Sequence, residues 1–262
     1  MNIDLSGKRA IVCGSSKGIG KAVAHELANL GATVILIARD GETLKQVKGE
    51  LSRDAGQRHD FIAVDFAEVD TLEQKITQFV STNPPVHILV NNTGGPPAGP
   101  IFEAETQEFL QGFSNHLICN HILTQTVVPG MKTEGYGRII NIISTSVKQP
   151  IKGLGVSNTV RGAVASWAKT LAGELAAFGI TVNNILPGAT KTTRLQSLIG
   201  HNAKKSGVSV EALTKQMLDQ IPTGRFAETS EIANAAVFLA TPAAAYINGV
   251  SLAVDGGRTQ CL

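Results

Sequence analysis

Short apolar stretches alternate with amphipathic stretches along the whole chain. Seven apolar stretches predict strands, at residues 9–13, 33–38, 61–64, 86–90, 138–143, 180–186 and 250–254. Six stretches have apolar residues at helical spacing, at residues 19–30, 41–51, 71–80, 106–132, 157–177 and 231–240. Continuously apolar strands separated by helices are typical of a parallel sheet covered on both faces. The pattern predicts an α/β fold, a doubly wound parallel sheet of about seven strands.

The pattern continues without a linker or an internal repeat, so residues 1–262 are expected to form a single domain. The least regular stretch is 190–222, which follows the predicted strand 180–186 and carries Gly200 and Gly207. Loops at the carboxyl ends of parallel strands hold ligands. We expect 190–222 to cover the substrate, and a plain surface excursion is the alternative.

Composition narrows the function classes. Hydrophobic residues make up 43% of the 262 residues and charged residues 17%, which is typical of a folded globular protein. The net charge is only +2 and no basic run occurs, so neither nucleic acid nor a membrane surface is an expected partner. Three cysteines do not suggest a disulfide framework, and residues 1–9 lack the apolar stretch of a signal peptide. A cytoplasmic location is expected.

A glycine-rich loop separates the first predicted strand from the first predicted helix. Glycine allows the backbone to turn sharply and to approach a pyrophosphate, and the helix N-terminus offers free N–H groups to the anion. In this context the loop predicts a dinucleotide site in a Rossmann-type sheet. The predicted cofactor-binding residues of the loop are Gly14, Ser16, Lys17, Gly18, Ile19 and Gly20.

Two basic residues indicate which dinucleotide binds. Lys17 lies in the glycine-rich loop, and Arg39 ends the second predicted strand, where an acidic side chain would bind the adenosine ribose. A guanidinium binds a 2′-phosphate, whereas a carboxylate repels it. NADP(H) is therefore favoured over NAD(H). The neighbouring Asp40 weakens this prediction slightly, and two solvated surface charges are the alternative.

Several motifs occur in order along nearly the whole chain. They are the glycine-rich loop, Asp65, Asn91-Asn92-Thr93-Gly94, Pro187-Gly188, the stretch from Ile221-Pro222 to Gly224-Arg225, and the stretch from Tyr246-Ile247-Asn248-Gly249 to Val254-Asp255-Gly256-Gly257. Together they resemble the short-chain dehydrogenase/reductase family, and the last two resemble its 3-oxoacyl-carrier-protein reductase branch.

The resemblance implies further cofactor contacts. These are Asp65 at the adenine, Asn91, Thr93 and Gly94 in a loop that lines the cofactor, Pro187 and Gly188 by the nicotinamide, and Thr192 near its carboxamide. Thr93 stands where the family usually has alanine.

The resemblance also identifies a reacting site that departs from the family pattern. In the family a serine and a tyrosine bind the substrate carbonyl, a lysine holds the nicotinamide ribose, and an asparagine continues a proton path. Ser144 matches the serine, while Ser157, Arg161 and His116 fall in the tyrosine, lysine and asparagine positions. These four are the candidate catalytic residues, and Arg161 is also a candidate cofactor ligand.

The departures change the available proton chemistry. A phenol has an ordinary pKa near ~10, whereas a serine hydroxyl is far less acidic and has a shorter reach. Arginine cannot relay a proton, but its fork binds ribose hydroxyls or a carboxylate. His116, with an ordinary pKa near ~6.5, is either a proton carrier or a structural residue of an apolar helix. No metal site is predicted, since His116 and His121 are five residues apart.

The sequence thus predicts an NADP(H)-dependent oxidoreductase that acts on a small carbonyl or alcohol substrate with a non-standard proton donor. Two alternatives remain open: a nucleotide-binding protein with impaired catalysis, and a redox-neutral lyase or isomerase on the same scaffold. The last strand and the helices at 106–132 and 157–177 resemble the family's interface elements, so a homotetramer is expected.

Overall fold

A seven-stranded parallel sheet forms the centre of the protein. The computed structural model describes residues 1–261, so Leu262, the last residue of the predicted domain, lies outside the described residues. The strands are β1 (Arg9–Cys13), β2 (Thr33–Ala38), β3 (Asp60–Ala63), β4 (Ile88–Asn91), β5 (Gly137–Ile142), β6 (Ile180–Pro187) and β7 (Ser251–Val254). Their order in the sheet is β3-β2-β1-β4-β5-β6-β7, which confirms the predicted doubly wound fold.

Helices cover both faces of the sheet. They are α1 (Gly18–Asn29), α2 (Gly41–Glu50), α3 (Val69–Thr82), α4 (Thr106–Phe113), α5 (Cys119–Glu134), α6 (Gly155–Leu175), α7 (Thr193–Ser206), α8 (Val210–Asp219) and α9 (Thr229–Ala240). Successive strand residues face opposite sides, so Val12 packs with α1, α2 and α9, whereas Ile11 packs with α3, α5 and α6. Within residues 1–261 no helix is both long and apolar enough to cross a bilayer.

Two predicted stretches differ in the structure. Residues 106–132 are helical throughout, as predicted, but a π-helical turn at Ser114–Ile118 lies between α4 and α5. Such turns are frequent at functional sites. The stretch 190–222 is not irregular: it contains α7, which buries Ile199 and Ala203, and α8. Helical periodicity did not predict α7, because most of its residues are polar and its apolar face is short.

A row of amide side chains crosses the sheet on the α5 and α6 side. Asn91 Nδ2 donates to Asn141 Oδ1 at 2.9 Å, and Asn141 Nδ2 donates to Asn184 Oδ1 at 2.9 Å. Asn184 Nδ2 then donates to Ser251 Oγ at 3.1 Å. These four residues are direct partners in the register of β4, β5, β6 and β7, and we call them the amide ladder. The three asparagines are buried, so the ladder pairs polar groups that water does not reach; among residues 1–261 only Asn91 Oδ1 of these amide groups has no partner.

Replacement of the central asparagine should destabilise the protein markedly. Asn141→Ala would leave Asn91 Nδ2 and Asn184 Oδ1 without partners, and each buried unpaired group costs about 1–3 kcal/mol. We expect the free energy of unfolding to fall by about 2–4 kcal/mol in urea denaturation followed by fluorescence. Asn29→Ala, at an exposed position at the end of α1, is the matched control and should change stability by less than about 0.5 kcal/mol. Equal stability losses in the two variants would contradict a stabilising role of the ladder.

Candidate active site

The glycine-rich loop between β1 and α1 is tightly built. Gly14 and Gly18 have φ angles of +59° and +58°, a region that disfavours side chains. A Cβ on Gly20 would lie 2.3 Å from the carbonyl oxygen of Gly14. The loop therefore requires glycine at these positions, and its backbone is open to close approach by a ligand.

The N-terminus of α1 has no protein side chain as a cap. Lys17, the residue before the helix, is exposed and makes no capping hydrogen bond. The first N–H groups of this helix and its positive dipole end are thus available to an anion. Ser16 is half-buried in the same loop. Ile19 is half-buried and packs partly against the core. These features fit the pyrophosphate of a dinucleotide.

Asn92 braces this loop, a role that the sequence did not predict. Its Nδ2 donates to the carbonyl oxygens of Cys13 at 3.2 Å and Gly14 at 3.4 Å. A Cβ on Gly14 or Gly20 would lie 2.7 Å from the same Nδ2. The asparagine doublet after β4 was a visible signal, but which member faces the loop depends on the strand register.

Arg39 and Asp65 meet at the carboxyl ends of β2 and β3. Arg39 Nη1 lies 3.5 Å from Asp65 Oδ2, and the Arg39 side chain is 77% exposed, so this pair leaves the guanidinium free for another partner. Asp65 Oδ1 also accepts a hydrogen bond from the backbone of Ala67 at 3.0 Å. Asp40, which weakened the NADP(H) prediction, caps α2 by accepting from the N–H groups of Glu42 and Thr43 at 3.1 Å each.

The loop after β4 begins at the amide ladder. The Asn91 side chain is buried in that ladder, so only the backbone of Asn91 could contact a cofactor, and its place at the start of a cofactor-lining loop stays a prediction. Thr93 is half-buried and its Oγ1 forms a short hydrogen bond with His116 Nδ1. Gly94 follows and is exposed.

The segment that follows β6 reaches the glycine-rich loop through Thr192. Gly188 lies against Asp255, so a Cβ there would be 2.7 Å from Asp255 Cα. Pro187 is the last residue of β6 and is half-buried. Thr192 caps α7 by accepting from Leu195 N at 3.2 Å, and its methyl group lies 3.5 Å from where a Gly18 Cβ would be. The structure thus brings Thr192 beside the predicted pyrophosphate site.

Ser144, Ser157 and Arg161 lie near the carboxyl end of β5. Ser144 follows Ile143 directly after the strand, and its Oγ accepts from Ser146 N at 3.1 Å. Ser157 and Arg161 share a face of α6, and both are 8% exposed. Arg161 Nη1 donates to the carbonyl oxygen of Ile142 at 3.0 Å. This contact holds the guanidinium beside the end of β5, because Ile142 precedes Ser144 by two residues. Burial and the positive charge of Arg194 lower the pKa of Arg161 to about 10.

His116 lies in the π-helical turn and is buried, with 2% of its surface exposed. Burial, together with the positive charges of Arg161 and Arg194, lowers the pKa of His116 to about 2. The pKa of His116 therefore lies far below the ordinary value of ~6.5, and the histidine is neutral at physiological pH. A neutral imidazole can hydrogen-bond to Thr93 or to a ligand, but it cannot act as an imidazolium acid.

Arg194 is a site residue that sequence analysis missed. It is exposed in the first turn of α7, and its Nη2 donates to the carbonyl oxygen of Pro96 at 2.8 Å. This contact joins α7 to the loop after β4. The signal for it was its position two residues after Thr192, but 190–222 had no predicted element on which to place the charge.

Comparisons with known proteins agree with this fold. The family model for enoyl-(acyl carrier protein) reductase matches residues 14–259. A putative ketoacyl reductase of Streptomyces coelicolor is 33% identical to this chain over 95% of each protein. The 3-oxoacyl-[acyl-carrier-protein] reductase FabG of Vibrio harveyi is 32% identical over 97% of this chain and 98% of that protein.

A solved structure is similar over the whole fold. The structure of L-sorbose reductase from Gluconobacter frateurii, complexed with NADPH and L-sorbose, superposes with a TM-score of 0.92 at 32% identity, and all of each chain is covered. These matches agree with the parallel sheet and its glycine-rich loop. The chain therefore belongs to the short-chain dehydrogenase/reductase family, and within it the chain resembles the 3-oxoacyl-carrier-protein reductases.

Proposed function

We propose that this protein is an NADP(H)-dependent oxidoreductase that transfers a hydride between nicotinamide and a carbonyl or alcohol substrate. One observation carries the proposal. Two features lie along the same carboxyl edge of the sheet. One is the uncapped N-terminus of α1 with its glycine-rich loop, and the other is the group Ser144, Ser157 and Arg161. Ligands bind at this edge in doubly wound folds, and the order of β1, β4 and β5 separates the phosphate end of the site from the reacting end.

The adenosine end supports NADP(H) over NAD(H). The Arg39 guanidinium is exposed and only loosely paired with Asp65, while the carboxylate of Asp40 is committed to the cap of α2. The similarity to the L-sorbose reductase, which was solved with NADPH, points in the same direction.

The nicotinamide would supply the hydride, and the protein would position and polarise the substrate. Ser144 would donate its hydroxyl proton to the substrate carbonyl oxygen as a hydrogen bond. Arg161, fixed by Ile142, would stabilise the negative charge that develops on this oxygen. It would also be within reach of the nicotinamide ribose, as the family resemblance implies. The stretch 190–222 would cover the substrate, with α7 held by Arg194 against Pro96.

Reduction also requires a proton on the substrate oxygen, and we propose a non-standard donor for it. His116 is neutral and no phenol stands at position 157, so the proton would come from solvent water through the hydroxyls of Ser144 and Ser157. In this route the positive charge of Arg161 stabilises the substrate oxygen until water supplies the proton, in place of the tyrosine acid that the family uses. The same departure from the family pattern supports the alternatives, a nucleotide-binding protein with impaired catalysis or a redox-neutral lyase or isomerase.

Cofactor choice is testable at Arg39. Arg39→Asp should weaken NADPH binding about ten-fold to a hundred-fold, because a charge-assisted contact to the 2′-phosphate contributes about 1.5–3 kcal/mol. NADH binding should change little. Titration of both reduced cofactors, followed by nicotinamide fluorescence, measures the two affinities. Tighter binding of NADH than of NADPH by the natural protein would contradict the assignment.

The reaction itself is testable by single-turnover reduction of a panel of ketones, aldehydes, sugars and oxo acids at saturating NADPH. We expect reduction with a rate that is constant between about pH 5 and 9, because the pKa of His116 lies at about 2 and that of Arg161 at about 10. An inflection between about pH 6 and 7 that disappears in His116→Gln would identify His116 as the acid and contradict the proposed route. Binding of NADPH without any turnover would favour the impaired protein, and a redox-neutral product would favour the lyase or isomerase.

We further propose that the protein is a homotetramer, as its family resemblance implies. Large apolar side chains are exposed on or next to the predicted interface elements: Phe102 and Leu110 near and on α4, and Tyr246 and Leu252 near and on β7. Closed two-fold symmetry would bury these side chains. Light scattering should give four times the chain mass of 27.5 kDa, and a monomer mass would contradict the proposal.

A further inference from the structure

Three nitrogen-rich side chains from separate elements converge on the reacting end of the site. His116 comes from the π-helical turn, Arg161 from α6 and Arg194 from α7. The charges of both arginines act on His116, and that of Arg194 acts on Arg161. Arg194 also reaches the backbone beside Gly95, where a Cβ would lie 2.8 Å from its Nη2. Thr93, which contacts His116, and Pro96, which accepts from Arg194, belong to the same loop after β4. His116 is neutral, so Arg161 and Arg194 carry the positive charge of this patch.

This patch has no acidic counterpart in the described chain. Among residues 1–261, no carboxylate forms a salt bridge with Arg161 or Arg194. Each guanidinium has five N–H donors, yet each donates only one hydrogen bond within this part of the chain, to Ile142 and Pro96 respectively. A buried charge without a partner is unfavourable. The remaining donors are thus free for an anion that comes from outside the chain.

The position of Arg161 limits where this anion can lie. Its guanidinium is tied to the carbonyl oxygen of Ile142, and Ser144 follows two residues later at the end of the same strand. Two residues of extended chain span about 7 Å. A ligand whose carbonyl oxygen meets Ser144 can therefore place a second group near Arg161 only if the two groups are a few bonds apart.

The phosphates of the cofactor are the other possible source of negative charge. The glycine-rich loop follows β1, and Arg161 lies at the end of β5, two positions away in the sheet. With a strand spacing of about 4.8 Å, these points are separated by about 10 Å. Arg39 lies at β2, farther away on the opposite side of β1. The pyrophosphate and the 2′-phosphate thus do not neutralise Arg161 directly.

We propose that Arg161 and Arg194 form a carboxylate-binding pair that selects an oxo acid, a substrate whose carboxylate lies close to the carbonyl to be reduced. This inference rests on the proposed function for the identity of the reacting carbonyl. Arg161 binds the carboxylate inside the cleft through its planar fork, and Arg194 closes over it from the first turn of α7. The pair fixes the carbonyl at Ser144 and discriminates against neutral ketones.

The test compares acids with their own neutral esters. Isothermal titration calorimetry measures the binding of pyruvate, phenylpyruvate and acetoacetate, and of the methyl ester of each, to the protein with NADP+ already bound. The bound cofactor occupies the phosphate sites, so any remaining preference for the acid belongs to the arginine pair. We expect at least one acid to bind ten-fold or more tightly than its ester, as a charge-assisted contact of about 1.5–3 kcal/mol implies.

Variants locate the preference. Arg194→Met should reduce the ratio of acid to ester affinity about ten-fold, because only the acid carries the charge that Arg194 binds, and the position is exposed, so the change should not unfold the protein. Arg161→Lys keeps the charge but loses the fork, and it should reduce the preference as well. Arg58→Met removes an equal charge from an exposed position outside the site and should leave both affinities unchanged.

The two proposals fail in different ways. If NADP+ binds but no acid binds more tightly than its ester, the arginine pair does not select carboxylates and the inference is overturned, while the proposed oxidoreductase stands. An acid preference that Arg194→Met and Arg161→Lys leave intact overturns it too. If NADP+ does not bind, the proposed cofactor is wrong, and the same comparison on the free protein still decides whether the pair selects carboxylates.

Discussion

The amide ladder sets the register on which the rest of the site depends. Parallel strands have evenly spaced backbone hydrogen bonds that allow more than one alignment, and apolar side chains alone discriminate weakly between alignments two residues apart. Asn91, Asn141 and Asn184 discriminate strongly, because in any other alignment their buried amides would lose their partners. All three donate in the same direction, towards Ser251, so each bond polarises the next. The register in turn fixes where Thr93, Ser144 and Gly188 leave their strands.

Charge is distributed unevenly along the carboxyl edge of the sheet. At the proposed adenosine end Arg39 has Asp65 beside it, and Lys17 is exposed to solvent. At the reacting end Arg161 has no carboxylate partner among residues 1–261, and it is shielded from water. An electric field in a buried site is screened far less than at the surface. The same field has two effects: it adds to the larger effect of burial in keeping His116 neutral, and it would stabilise negative charge on a substrate oxygen in the proposed reaction.

The sequence predicted correctly those features that depend on a local pattern of residues. The strands, most helices and the glycine-rich loop follow from periodicity and from the need for positive φ at Gly14 and Gly18. The spacing of Ser157 and Arg161 correctly placed them on one face of α6. Asn91 and Asn92 were harder to separate, because their roles depend on which sheet face each side chain takes, and this follows only from the register.

The properties of His116 could not be predicted from local pattern at all. Its low pKa depends on burial in a π-helical turn that periodicity does not reveal, and on Arg194, a residue far away in the chain. The helix that carries Arg194 was itself not predicted, since its apolar face consists of few residues. The electrostatic effect of residues far apart in the chain can therefore be predicted only when the fold is known. The residue types at the site can be identified from the sequence alone.

Burial and the arginine charges both lower the pKa of His116, and their relative size determines whether a bound ligand can change its protonation. Burial is the larger cause of its lowered pKa, and the arginine charges are the smaller one. A bound carboxylate would offset the charges of Arg161 and Arg194, but it would also exclude water and leave His116 at least as buried. The histidine would thus stay neutral in the occupied site as well as in the free one. Its hydrogen bond to Thr93 then has a constant role, which is to hold the loop after β4 against the turn that begins α5.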